Sequence, residues 1–322
     1  MENRNFLVWG VLLIMLLVVF FSSSPQTKTS KRFPSLKTDI SKSSVDLDLI
    51  LSGGSDKDDI PALSNPDFVS IEQAGLLDDD FGVLVNFDGQ KRFYPYKILV
   101  WHEIVNDTID DYNFSVTFCP LCGSAIVVDR NVDGQILDFG VSGYLYESNL
   151  LMYDRQTESL WAQARAEAIV GEYTGKKLAV LDMQLISVAE LKQKHTEAQV
   201  LSQETGYNRD YSFNPYSVYD ISDNLYFPVS ISDSRFAAKE IMYSFVLDDQ
   251  YIAFPQEYLL ASKIENFKLN GHNVTAQRDG DEILIMNDGQ KILGYYEMWF
   301  SWATNHQNDG IVWEIKGECL QS

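Results

Sequence analysis

Residues 85–99 read VNFDGQKRFYPYKIL, and residues 245–259 read FVLDDQYIAFPQEYL. In the first stretch, Asp88-Gly89 sits between two runs of alternating character, the shortest local signal of a β-hairpin. Pro95 then fixes φ and carries no N–H, so it suits the start of a helix and not its interior. The second stretch repeats the order, with Asp248-Asp249 at the turn and Pro255 at the helix start. At an offset of about 160 positions, Asp88 lies over Asp248, Gln90 over Gln250 and Pro95 over Pro255. The match runs on through Ile104 with Ile264, Asn106 with Asn266 and Asn113 with Asn273. An internal duplication is expected, each copy predicting strand, turn, strand, short helix, strand.

Working outward, further Asx-Gly turns at Asp133-Gly134, Asn270-Gly271, Asp279-Gly280 and Asp288-Gly289 separate apolar or alternating runs. Helical signals are fewer: Tyr96 to Asn106, Ser187 to His195, Gln256 to Ile264 and Glu297 to His306. The expected fold class is α+β, strand-rich with repeated hairpins and two related lobes, 60–235 and 236–322. At 322 residues, 45% hydrophobic and 13% aromatic, the chain can bury a substantial core and is too apolar to be disordered. A net charge of -21 without a basic run argues against a nucleic-acid partner.

Phe6 to Phe21 is an unbroken apolar run preceded by Arg4. As a helix it would span about 24 Å, a little less than a hydrocarbon core of about 30 Å. Residues 1–21 are therefore expected to be a signal anchor or signal peptide, making the membrane a partner and the globular part extracytoplasmic. Cleavage after Ser24 would leave Pro25 first, which favours an uncleaved anchor. The basic residues Lys28, Lys31, Arg32 and Lys37 pull the other way on orientation. Residues 22–59 lack a hydrophobic period and read as a flexible tether, with order beginning near Ile60.

The sharp chemical feature is FCPLCGSA, with Cys119 and Cys122 separated by two residues between strand-like runs. Such a turn can put both sulfurs on one side of the chain. Paired thiols of this spacing have three uses. They can hold copper or zinc, as in one knuckle of a zinc ribbon. They can exchange disulfides. They can also form a structural bridge in an oxidising compartment. No second knuckle exists, and the remaining thiol is Cys319, so a metal would need other ligands. His102 in WHEIVND is the best third ligand and Met152 a weaker one; a packed, hydrogen-bonded His102 is the alternative. Glu103 beside it is a candidate proton acceptor. A metal site needs a third donor near both sulfurs, a redox site needs an exposed sulfur, and a structural bridge needs neither. The leading expectation is a metal-binding protein. A thiol–disulfide enzyme, with Cys119 as nucleophile and Cys122 as resolving thiol, and an envelope interaction protein are the alternatives.

Residues 140–163, GVSGYLYESNLLMYDRQTESLWAQ, are dense in hydroxyls, amides and aromatics. Ser142, Tyr146, Ser148, Asn149, Asp154, Arg155 and Trp161 could line a polar pocket. The competing reading is a strand and its turn, with the aromatics in the core and Asp154 capping the turn. No G-x-S-x-G elbow, phosphate-cradling glycine loop or HExxH helix is present.

The segments IPALSNPDFVS, FYPYKILVWHEIVND, VTFCPLCGSAIVVDR, FGVSGYLYESNLLMYDRQTESLW and MWFSWATNHQND resemble a prokaryotic family, the domain of unknown function 3179. They spread over nearly all of the chain beyond Ile60. The resemblance implies an exported or anchored protein and names no reaction. It points to Cys119, Cys122, His102, Ser142, Ser148, Asp154 and Trp161 as motif positions. After Trp161 the chain departs from the family pattern, with Ala162 and Ala166 in place of the usual Ser and Gly.

Overall fold

A computed structural model describes residues 32–259, 264–307 and 309–313. The turns marked in the sequence close the hairpins. Asp88 and Gly89 both take positive φ, 51° and 89°, between the antiparallel strands Phe81–Phe87 and Gln90–Pro95. Asn270-Gly271 and Asp288-Gly289 do the same between later strands. Two left-handed residues in a row match the twist of the flanking strands, which is why Asx-Gly is selected there.

Among the described residues the strands form an eight-stranded sheet, two five-stranded sheets, a four-stranded sheet and a small two-stranded ribbon. The eight-stranded sheet holds Ile104–Ile109, Tyr112–Cys119 and Ser124–Asp129 as successive antiparallel neighbours. These strands are buried along most of their length, so they read as continuous apolar runs and not as alternation. Tyr296 then pairs with Ala125, joining Gly294–Met298 and Ile241–Leu247 to the same sheet. The two expected lobes thus share one sheet and one main core cluster. The element order of Phe81–Asp129 does recur in Ile241–Asn287. Its hairpins are distributed differently among sheets, so the likeness is one of order.

Four short helices lie among the described residues: α1 (Tyr96–His102), α2 (Val188–Lys194), α3 (Ser217–Asp220) and α4 (Trp299–Asn305). The first ends earlier than expected because Glu103 takes φ 58° and Ile104 begins a strand. In α2 the Ser187 hydroxyl accepts from the Glu190 N–H, a side-chain cap that fixes the start. The helix expected over Gln256 to Ile264 is a single 3-10 turn, Gln256–Tyr258, with 260–263 outside the described residues.

The tether expected over 22–59 is corrected for its described part. Phe33, Leu36 and Ile50 are buried against Leu151, Tyr153 and Ile169. Ile50–Ser52 pairs with Phe139–Tyr146, and the Arg155 guanidinium forks onto both oxygens of Asp58 at 2.9 Å each. The apolar residues here dock one at a time, so they leave no periodic signature. The Phe6–Phe21 run, residues 22–31 and Cys319 lie outside the described residues. No helix among the described residues is long and apolar enough to cross a membrane.

Candidate functional site

Cys119 ends its strand opposite Ser124, and Cys122 occupies the turn between them. The Cys122 N–H donates to the Cys119 carbonyl at 3.1 Å, which folds the turn tightly. Gly123 takes φ 58°, and a Cβ there would meet Ile241 Cδ1 and Met298 Cε at 3.3 Å. Glycine is therefore needed both for the conformation and for the space. The outcome is two free, buried thiols with Sγ atoms 3.0 Å apart. A disulfide bond is about 2.05 Å long, so closing one here needs little backbone movement.

Neighbours hold the turn from two sides. The Cys122 carbonyl accepts from the Met298 N–H at 2.7 Å, and its thiol donates to the Ser148 carbonyl at 3.3 Å. Behind it lies a closed polar network. Ser124 Oγ donates to Gln163 Oε1 at 2.7 Å, Asn149 Nδ2 donates to the same oxygen at 3.0 Å, and Gln163 Nε2 donates to Thr117 Oγ1 at 3.1 Å. Burial pushes the Cys122 thiol well up, the neighbouring Cys119 adds to this, and a hydrogen bond from Asn149 opposes it.

Two buried carboxyls lie near the turn, Glu297 acting on Cys122 directly and Glu103 reaching Cys119 only through Tyr216. Glu103 follows α1 in a left-handed conformation, and its carbonyl accepts from the Phe118 N–H at 2.7 Å, next to Cys119 in sequence. Burial pushes its carboxyl up to about 8, with the Tyr216 hydroxyl opposing by donating to it. Tyr216 in turn is pushed up by burial, then by Glu103 and Cys119. Glu297 acts on Cys122, and burial takes it to about 8 against the weaker pull of the Ser301 and Tyr295 hydroxyls. Neither Glu297 oxygen has an aligned hydrogen-bond partner.

Pro120 and Gly123 form part of the wall of a cavity of about 520 Å3, with Tyr96, Phe118, Tyr216 and Met298 around it. Residues 203–240 cover the turn and contain no regular structure except α3. Tyr219 Oη donates to the Leu121 carbonyl at 2.7 Å, and the Lys239 ammonium sits 3.3 Å from the centre of the Tyr219 ring.

Of the expected site residues, Cys119 and Cys122 come together, and the backbone carbonyl of Ser148, from the separately expected pocket, reaches Cys122. His102 is committed elsewhere: Nδ1 lies 2.7 Å from the Pro61 carbonyl and Nε2 2.6 Å from Tyr211 Oη. Among the described residues no three His, Cys, Asp or Glu side chains gather closely enough to hold a metal. Met152 is a core residue. Asp154 accepts from the Thr157 N–H at 2.6 Å, the Ser159 N–H at 3.1 Å and Trp161 Nε1 at 2.9 Å, so it closes a turn and does not line an open pocket. Ser142 donates to the Leu151 carbonyl at 2.5 Å, and half-buried Tyr146 pairs across to Ile50. Glu297, Tyr216 and Tyr219 escaped the sequence reading. For Glu297 a signal existed, a lone carboxylate inside the apolar run YYEMWF.

Fold and site together define a strand-rich protein with a buried dithiol in a hairpin turn, near two buried carboxyls of raised pKa. The chain belongs to the family described as protein of unknown function (DUF3179), matched over residues 57–321. No curated protein and no solved structure matches it.

Proposed function

We propose that the chain is a thiol–disulfide oxidoreductase whose Cys119–Cys122 pair is oxidised and reduced reversibly beneath the 203–240 segment. The observation that carries this reading is the free thiol pair at 3.0 Å, with buried Glu297 acting on Cys122 and buried Glu103 linked to Cys119 through Tyr216. A bridge that only stiffened a turn would have no use for these acids. Burying an unpaired carboxyl costs several kcal/mol, roughly, and such groups concentrate where protons are moved. The metal reading led at the level of sequence; it has less support because His102 is held by Pro61 and Tyr211.

Cys119 is 2% exposed and Cys122 fully buried, so exchange needs the 203–240 segment to lift from the turn. A long covering segment with little regular structure is suited to that. Cys119 is the attacking thiol in this scheme and Cys122 the resolving one. The Phe6–Phe21 run would deliver the domain to an oxidising compartment, where such a pair is useful.

The test uses the full chain carrying Cys319→Ser, treated with dipyridyl disulfide. The reading predicts two thiopyridones released and a chain mass matching an internal disulfide. Adding Cys122→Ser should stop the reaction at one thiopyridone and a stable mixed disulfide on Cys119. A folded chain that releases none would refute the proposal.

A further inference from the structure

Polar groups without well-aligned partners gather between Glu297, which acts on Cys122, and half-exposed Asp309. Both oxygens of Glu297, Ser301 Oγ, Asn305 Oδ1 and His306 Nδ1, all within residues 297–306, are buried without a well-aligned hydrogen-bond partner, although the Ser301 and Tyr295 hydroxyls lie by the Glu297 carboxyl. Native proteins leave only a few such atoms per hundred residues. Ser301 and Asn305 are four residues apart and share one face of α4. Polar atoms gathered in this way are sites for buried water.

The same groups connect. Tyr295 and Glu297 point to one face of their strand, as alternate residues do, and the Tyr295 hydroxyl lies by the Glu297 carboxyl. Tyr295 Oη is 3.4 Å from His306 Nε2. His306 Nδ1 is 3.5 Å from Asp309 Oδ1, and the Asp309 side chain is 50% exposed. Tyr251 stacks on the imidazole at 3.9 Å, Trp302 packs beside it, and Arg165 and Lys177 are the cations near enough to act on it.

We propose that Glu297, Tyr295, His306 and Asp309 form a proton path between Cys122 and solvent, with water held at Ser301 and Asn305. The path rests on the dithiol reading and assigns Cys122 its proton acceptor. With a disulfide substrate, Cys119 gives its proton to solvent and attacks one sulfur, a mixed disulfide forms, and the first thiolate leaves and takes up a proton from solvent. Cys122 then gives its proton to ionised Glu297 and attacks the Cys119 sulfur. The mixed disulfide breaks, the Cys119–Cys122 bond forms, and the second thiolate leaves and takes up a proton. Two electrons pass from the cysteine pair to the substrate. Glu297 returns its proton through Tyr295 and His306 to Asp309 and bulk water.

The test follows the two thiopyridone releases separately in the full chain carrying Cys319→Ser, with dipyridyl disulfide as oxidant. The first release serves as the reference within the same reaction. Glu297→Gln and Tyr295→Phe should each lower the ratio of second to first rate about tenfold or more, the range of a lost proton acceptor. The wild-type second step should rise with pH through about 8, and Glu297→Gln should lose that inflection. Tyr295→Phe removes a hydroxyl and no bulk, so it keeps the test alive if Glu297→Gln misfolds. Unchanged ratios and pH profiles would overturn the path while leaving the dithiol reading intact, since both releases would still occur. A folded wild type that never gives the second release would overturn both.

Discussion

Tyr219 donates from its hydroxyl to the carbonyl of Leu121, a residue lying between the two cysteines, at 2.7 Å. One hydrogen bond thus ties the covering segment to the turn that holds the two cysteines. Tyr219 is itself fully buried, with Tyr226 against its ring at 4.6 Å and Lys239 above it.

Tyr219→Phe should loosen this latch while keeping the ring in place. Losing a net hydrogen bond of about 1 kcal/mol raises the open fraction about fivefold. Iodoacetamide labelling of Cys119 in the folded chain should accelerate by about that factor. An unchanged labelling rate would mean that the segment does not open at this contact.

The two raised carboxyls make stability depend on pH in a defined direction. Burial lifts Glu103 and Glu297 from 4.5 to about 8, so the folded state holds protons that the unfolded state has released. Their contribution is complete below about 4.5 and is lost as pH rises to about 8, by about 1.4 kcal/mol per pH unit for each group within that window. The Glu103→Gln/Glu297→Gln chain should show a flatter dependence of urea midpoint on pH across the same range. Parallel curves for the two chains would show that neither acid is held neutral.

Asp154 should matter to the fold and leave the thiols alone. Asp154→Ala strands the Thr157 and Ser159 N–H groups and the buried Trp161 indole N–H. A loss of about 3 kcal/mol in urea unfolding is expected. At a urea concentration where the variant is still folded, its ratio of the two thiopyridone releases should match that of the parent chain.

The hairpins were legible because their turns are decided by neighbours in sequence. Asp88-Gly89, Asn270-Gly271 and Asp288-Gly289 each need two left-handed residues and contain the types that adopt them. The Cys119–Cys122 turn was legible for the same reason. The docking of 32–59 was not, because Phe33, Leu36 and Ile50 find their partners in the 139–170 sheet with no local period to announce it. His102 was expected as a third ligand because its predicted helix lies just upstream of the strand that carries the thiols. The backbone reverses at Glu103, where φ is 58°, and the side chains of His102 and Glu103 find different partners, Tyr211 and Tyr216. Glu297 comes to Cys122 across a sheet pairing between residues far apart in sequence, Tyr296 with Ala125. Only long-range strand order reveals such a neighbour.

The central claim is that Cys119 and Cys122 form a reversible redox pair within the native fold, and equilibrium titration tests it most directly. The full chain carrying Cys319→Ser would be equilibrated in graded dithiothreitol buffers, quenched in acid and weighed after alkylation. The account predicts a single two-electron transition between dithiol and disulfide, reached from both directions while the chain stays folded. A pair that exchanges only after the chain unfolds, in either direction, would contradict it and leave the cysteines a structural role.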